Sequence, residues 1–87
     1  MNSFEKMIHI CKAYVREELD IEEFQSRLEM VVLPDNCKNS LEKKQHNAVN
    51  MLEEIRFCYL PENQYKHAKV VAEKLINEVR EYMNSKS

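Results

Sequence analysis

The sequence predicts an all-α protein, an antiparallel four-helix bundle, and three observations point there. Glycine is absent from all 87 residues, which removes the residue that tight two-residue hairpins lean on. Apolar residues recur at three-and-four spacing in four separate segments, the period of one helical face. Capping residues and the two prolines punctuate those segments, and the short connections favour antiparallel neighbours. With 44% apolar and 32% charged residues, a chain of this length makes one globular domain rather than a disordered tail.

The spacing predicts helices over about residues 4–18, 21–33, 40–59 and 62–84. Ser3 reads as the first N-cap, followed on one face by Phe4, Met7, Ile8, Cys11, Tyr14 and Val15. At the next junction Asp20 reads as N-cap, with Glu23 three residues on and Leu19 placed to staple onto Phe24. Helix 2 then turns Ile21, Phe24, Leu28, Val31 and Val32 inward until Pro34, whose ring disfavours helical geometry in Leu33. Residues 35–39 form a polar loop, and Ser40 caps a third helix with Leu41, Ala48, Met51, Leu52, Ile55 and Cys58 or Tyr59 inward. Pro61 either breaks the chain or opens helix 4. The inward stripe of helix 4 is Tyr65, Ala68, Val71, Ala72, Leu75, Val79 and Tyr82, and residues 85–87 fray.

Several kinds of chemistry fall away on residue content. Phosphate-cradling loops and dinucleotide turns need glycine, and there is none. His9, Cys11, His46, Cys58 and His67 invite a zinc reading, yet no HExxH or CxxC pair brings two ligands to one face. No metal or other cofactor is expected. Phosphotransfer at a histidine lacks the Lys-Gly sequence such domains carry. Cys37, placed in the exposed loop, could be a nucleophile, but no base or oxyanion site is evident beside it. The expectation is that the protein is not an enzyme. Helices 2 and 3 also lack a groove-matched cluster of Arg, Lys, Asn and Gln, so a DNA-binding regulator is not favoured.

Cys11, Cys37 and Cys58 cannot all pair within one chain and read as free thiols. The opening MNSFEKMIHI is not a signal peptide and no window reaches membrane-spanning length, so the cytoplasm is the expected address.

Charge is the unequal feature. Residues 1–35 hold eight acids against four bases, or −4, and residues 36–87 hold seven against nine, or +2, which sum to the formal net charge of −2. Six of the eight acids, Glu17, Glu18, Asp20, Glu22, Glu23 and Glu29, crowd the helix 1 to helix 2 corner. Asp20 and Glu23 serve capping and Glu22 suits the positive end of the helix dipole, which leaves Glu17, Glu18 and Glu29 without a local task. Such a corner speeds encounter with a basic cleft.

The stretch Ile10-Cys-Lys-Ala-Tyr-Val-Arg-Glu-Glu-Leu-Asp-Ile-Glu-Glu-Phe-Gln-Ser-Arg-Leu28 resembles the helical immunity proteins of the colicin D type, which bind and silence a transfer-RNA-cleaving toxin. The similarity lies in Tyr14-Val15, Leu19, Asp20, Glu23-Phe24 and Ser26-Arg27-Leu28, with an echo in Arg56-Phe57 and Pro61-Glu62. The resemblance implies an inhibitor that covers a basic toxin active site with carboxylates standing in for RNA phosphates. Near the last junction the implied acidic contacts are Glu53, Glu54 and Glu62, while Phe57-Cys58-Tyr59-Leu60 is apolar where the resemblance implies an acidic loop. A blocked cleft also needs a buried aromatic anchor, and Tyr59 or Tyr65 beside Glu62 are the candidates. The partner is then a cognate toxin nuclease domain, with no direct contact to nucleic acid or membrane. The alternative is a small helical adaptor or regulatory subunit that uses helix 4 as an oligomerisation face, and a homodimer is compatible with the sequence.

Overall fold

The computed structural model describes residues 2–37 and 40–85. Four helices follow one another, α1 (Ser3–Val15), α2 (Ile21–Met30), α3 (Leu41–Cys58) and α4 (Pro61–Ser85), with a single 3-10 turn at Asp35–Cys37. Cross-helix contacts fix their directions. Ser3 reaches Val32 while Tyr14 stacks on Phe24, so α1 and α2 run oppositely. Gln45 meets Leu28 and Val31 while Arg56 meets Gln25, so α3 reverses α2. Lys44 faces Glu78 while Gln64 reaches the Arg56 carbonyl, and Phe4 touches Tyr82 while Tyr65 reaches Val15. Helix α4 is therefore antiparallel to both α3 and α1, and the bundle closes up-down-up-down.

The core draws on every helix: Met7, Cys11 and Tyr14 from α1, Phe24 and Leu28 from α2, Leu41, Leu52 and Ile55 from α3, and Ala68, Val71, Ala72, Leu75, Ile76 and Val79 from α4. Full burial of a Phe, Leu or Met side chain stabilises by about 1.5–3 kcal/mol, so these contacts dominate the fold. The inward stripe of α4 lies in this core from Ala68 to Val79, with Tyr65 and Tyr82 partly buried against it. Ile76, outside the expected stripe, joins it.

Helix ends differ from expectation in how their carbonyls are met. The terminal carbonyls, which the helix itself leaves without partners, receive backbone N–H groups from just past the helix and side chains from other helices. Helix α1 stops at Val15, three residues before the expected Glu18, in a Schellman arrangement: Glu17 N–H donates to the Tyr14 carbonyl and Glu18 N–H to the Ala13 carbonyl, both at 2.9 Å. Glu17 takes the left-handed position, φ 62°, where glycine is usual. The Tyr65 hydroxyl then donates to the Val15 carbonyl at 2.7 Å. Helix α2 stops at Met30 rather than Leu33, because Val31 is extended and buried Gln45 donates its amide to the Leu28 and Val31 carbonyls at 2.9 and 2.8 Å. Gln64 does the same for α3 at the Arg56 and Tyr59 carbonyls.

Other expectations are corrected in detail. Asn2, not Ser3, caps α1 by accepting from Glu5 N–H, while Ser3 Oγ donates to the Val32 carbonyl. Asp20 caps α2 as expected, but the Glu23 carboxylate turns to Arg27 instead of completing a capping box. Ser40 makes no side-chain cap bond, and Pro61 is the first residue of α4, where its missing N–H costs nothing. Val32 and Met51 are exposed, 82% and 43%, and Leu33 is buried in place of Val32, because the extended segment after Met30 reverses the side-chain alternation. Cys37 is fully buried rather than exposed, with its Sγ 3.0 Å from Tyr82 Oη. Of the expected loop, Lys38 and Asn39 lie outside the described residues, as do Lys86 and Ser87 at the tail. No helix is long and apolar enough to cross a membrane among the described residues.

Candidate functional site

Antiparallel packing brings two corners, some forty residues apart in sequence, to one end of a bundle 40 Å long. The α1–α2 corner supplies Glu17, Glu18, Leu19, Asp20 and Ile21, and the α3–α4 corner supplies Tyr59, Leu60, Pro61 and Glu62. Between them lies an open groove of about 450 Å³, lined by Tyr14, Glu17, Glu18, Asp20, Pro61 and Tyr65 among others. Its floor is rigid: Tyr14 stacks on fully buried Phe24 at 4.5 Å and tilts against Tyr65 at 5.5 Å. Burial first, then the neighbouring Tyr65 and Asp20, pushes the Tyr14 phenol up to about 12, so Tyr14 is uncharged at neutral pH.

The carboxylates around this groove are not equivalent. Asp20 holds Glu23 N–H at 2.7 Å, Glu23 pairs with Arg27 at 2.7 Å, and Glu22 lies 3.8 Å from Arg56. Arg56 also donates to Gln25 at 2.8 Å, which ties α2 to α3 directly behind the corner. Glu17 and Glu18 are exposed and have no ion pair among the described residues. They present the corner's uncompensated negative charge. Glu53 and Glu54 are exposed on the last turns of α3, and Glu62 is exposed on the first turn of α4. Glu29 stands apart, near the opposite end of α2 beside Val32, Glu42 and His46.

The two tyrosines separate. Tyr65 is half-buried, and its hydroxyl is committed to the Val15 carbonyl, so it shapes the groove without being free to leave it. Tyr59 is 41% exposed and stacks on His67 with ring centroids 4.1 Å apart. Phe57 and Leu60, near the end of α3 and in the α3–α4 corner, are more exposed, 75% and 62%. Phe57 was readable from helical phase alone: it sits two residues past Ile55, about 200° around from the buried face.

Cys11 is buried and its thiol is pushed up by that burial to about 12, while Cys58 is exposed. No group of three or more His, Cys, Asp or Glu side chains is placed to hold a metal ion among the described residues. Compared with protein-family models, curated proteins and solved structures, the chain matches none.

Proposed function

We propose that the protein is a cytoplasmic immunity protein that binds a bacterial ribonuclease-type toxin and covers its basic RNA-binding cleft with this end of the bundle. The observation that carries the reading is the groove that brings Glu17 and Glu18, which have no ion pair among the described residues, against Pro61 and Tyr65 of the α3–α4 corner, the end of the bundle that also exposes Phe57 and Leu60. A nuclease cleft must be positive to hold a polyanion. Fixed carboxylates speed encounter with it, and a desolvated aromatic anchor slows release. The aromatic floor and the Arg56 tie hold the carboxylates in place before binding, which reduces the ordering cost. No bond-making group of its own is needed. The resemblance of residues 10–28 to the colicin D-type immunity proteins agrees with this reading and names its toxin class.

The direct test is RNA cleavage by any toxin nuclease domain found encoded next to this chain, measured with increasing purified protein. Stoichiometric loss of cleavage supports the reading. Glu17→Lys with Glu18→Lys should slow association by about tenfold or more at low salt, and Phe57→Ala should speed dissociation. Cleavage unaffected by excess protein, or turnover of a substrate by the protein itself, would overturn it.

A further inference from the structure

A second groove, of about 480 Å³, lies between α1 and the extended segment after α2, at the end of those helices remote from Glu17 and Glu18. Its walls are Ile10, Met30, Val31 and Val32, and its only charged lining residues are Lys6 and Arg27. Met30 and Val32 are 75% and 82% exposed, so the apolar wall stands open to water. Ser3 Oγ, donating to the Val32 carbonyl at 2.7 Å, fixes the extended edge against α1. Lys6 has no ion pair among the described residues, and Arg27 engages Glu23 through one terminal nitrogen only.

The two grooves are opposite in charge. Among the described lining residues, one holds Glu17, Glu18 and Asp20 with no base, and the other holds Lys6, which has no ion pair, and Arg27, whose charge Glu23 offsets at 2.7 Å. Met30 and Val32 stand exposed in the cationic groove, and the end of the bundle that carries the acidic groove also exposes Phe57 and Leu60. Because the two grooves lie at opposite ends of α1 and α2, a single copy cannot bring them together.

We propose that the cationic groove is a docking site for a second copy of this chain, which seats its acidic end there. The contact joins two different patches, so it is head-to-tail and does not stop at a dimer unless the rotation closes a ring. Neither groove approaches the roughly 800 Å² per partner of a standard interface, so the association is weak and its strength leans on the charges. This contact uses the same acidic end that is proposed to meet the toxin, so the two would compete, but it is read out with the protein alone.

The test is sedimentation velocity of the full chain carrying Cys58→Ser under reducing conditions, over about a hundredfold range of concentration, at about 20 mM and about 500 mM salt. The expected result is a weight-average mass that rises past twice the 10.4 kDa monomer at low salt and returns to the monomer at high salt. Two charge-reversed proteins, Lys6→Glu with Arg27→Glu and Glu17→Lys with Glu18→Lys, should each remain monomeric. Their equimolar mixture should associate again, since each then offers the charge the other lacks. Val32→Asp, at an exposed position that does not threaten folding, should weaken the parent's association about tenfold. A mass that stays monomeric at low salt or is insensitive to salt would overturn the proposal, whereas saturation at a dimer would show that the contact closes into a ring of two. So would a mixture of the reversed proteins that fails to associate.

Discussion

Glu17→Gly separates the structural and binding roles assigned to one residue. Glu17 holds φ 62° at the end of α1, and a side chain with a Cβ costs about 1–2 kcal/mol there. Glycine removes that strain but loses more freedom on folding, taking back about 0.5–1 kcal/mol. The net stabilisation is about 0.5–1 kcal/mol, which for a domain of this size raises Tm by about 2–8 °C. The same change removes one of the two unpaired carboxylates at the proposed interface. A charge at about 6 Å in water is worth about 0.7 kcal/mol, so association with the toxin slows about threefold at low salt. Glu17→Gln keeps the strained backbone and removes only the charge, so it should slow association equally and leave Tm unchanged. Calorimetry with stopped-flow binding at two salt concentrations reads both quantities. A Glu17→Gly protein that melts below the parent would refute the strain argument, and parent-like association rates in both variants would refute the contact.

Three further outcomes follow from the packing. Gln45→Leu, which takes the amide from the Leu28 carbonyl, leaving it only the Val31 N–H at 3.3 Å, and from the part-buried Val31 carbonyl, should destabilise by about 1–3 kcal/mol in urea unfolding; a parent-like midpoint would show that water replaces the amide. Arg56→Met, which removes the donor to Gln25 and the neighbour of Glu22, should cost about 1 kcal/mol and leave the α1–α2 corner less well held, seen as faster amide exchange at residues 21–25. A thiol-specific disulfide reagent should modify exposed Cys58 rapidly, whereas buried Cys11 and Cys37 react only on unfolding. The folded Cys11 thiol keeps its proton up to about 12 against 9.0 ordinarily, so the unfolded chain releases its proton first. Stability from this group is intact below pH 9, declines above it and is lost by about pH 12; stability flat over that range would contradict the burial.

The helices were legible because burial selects one face: Phe24, Leu28, Leu52, Leu75 and Val79 fall in phase and lie in the core. Their ends were less so. A residue such as Gln45 or Gln64 looks like an ordinary polar helix position until another helix brings it against orphaned carbonyls. Cys37 illustrates the same point, since only the approach of Tyr82 from the far end of α4 explains its burial in a polar stretch. At the candidate site, the charge of Glu17 and Glu18 was visible as composition. That this corner shares an end with Phe57 and Leu60 depends on the antiparallel reversal of all four helices. Tyr65 was placed among the anchors because it is aromatic and near Glu62, whereas its hydroxyl serves the end of α1.

Oxidative footprinting of the dilute protein, free and bound to the toxin nuclease domain that the proposal requires, tests the central claim most directly. Phe57 and Tyr59 should lose reactivity on binding while Met30 and Met51, also exposed, keep theirs. Protection of Met30 or Met51 with Phe57 and Tyr59 unchanged would contradict the account.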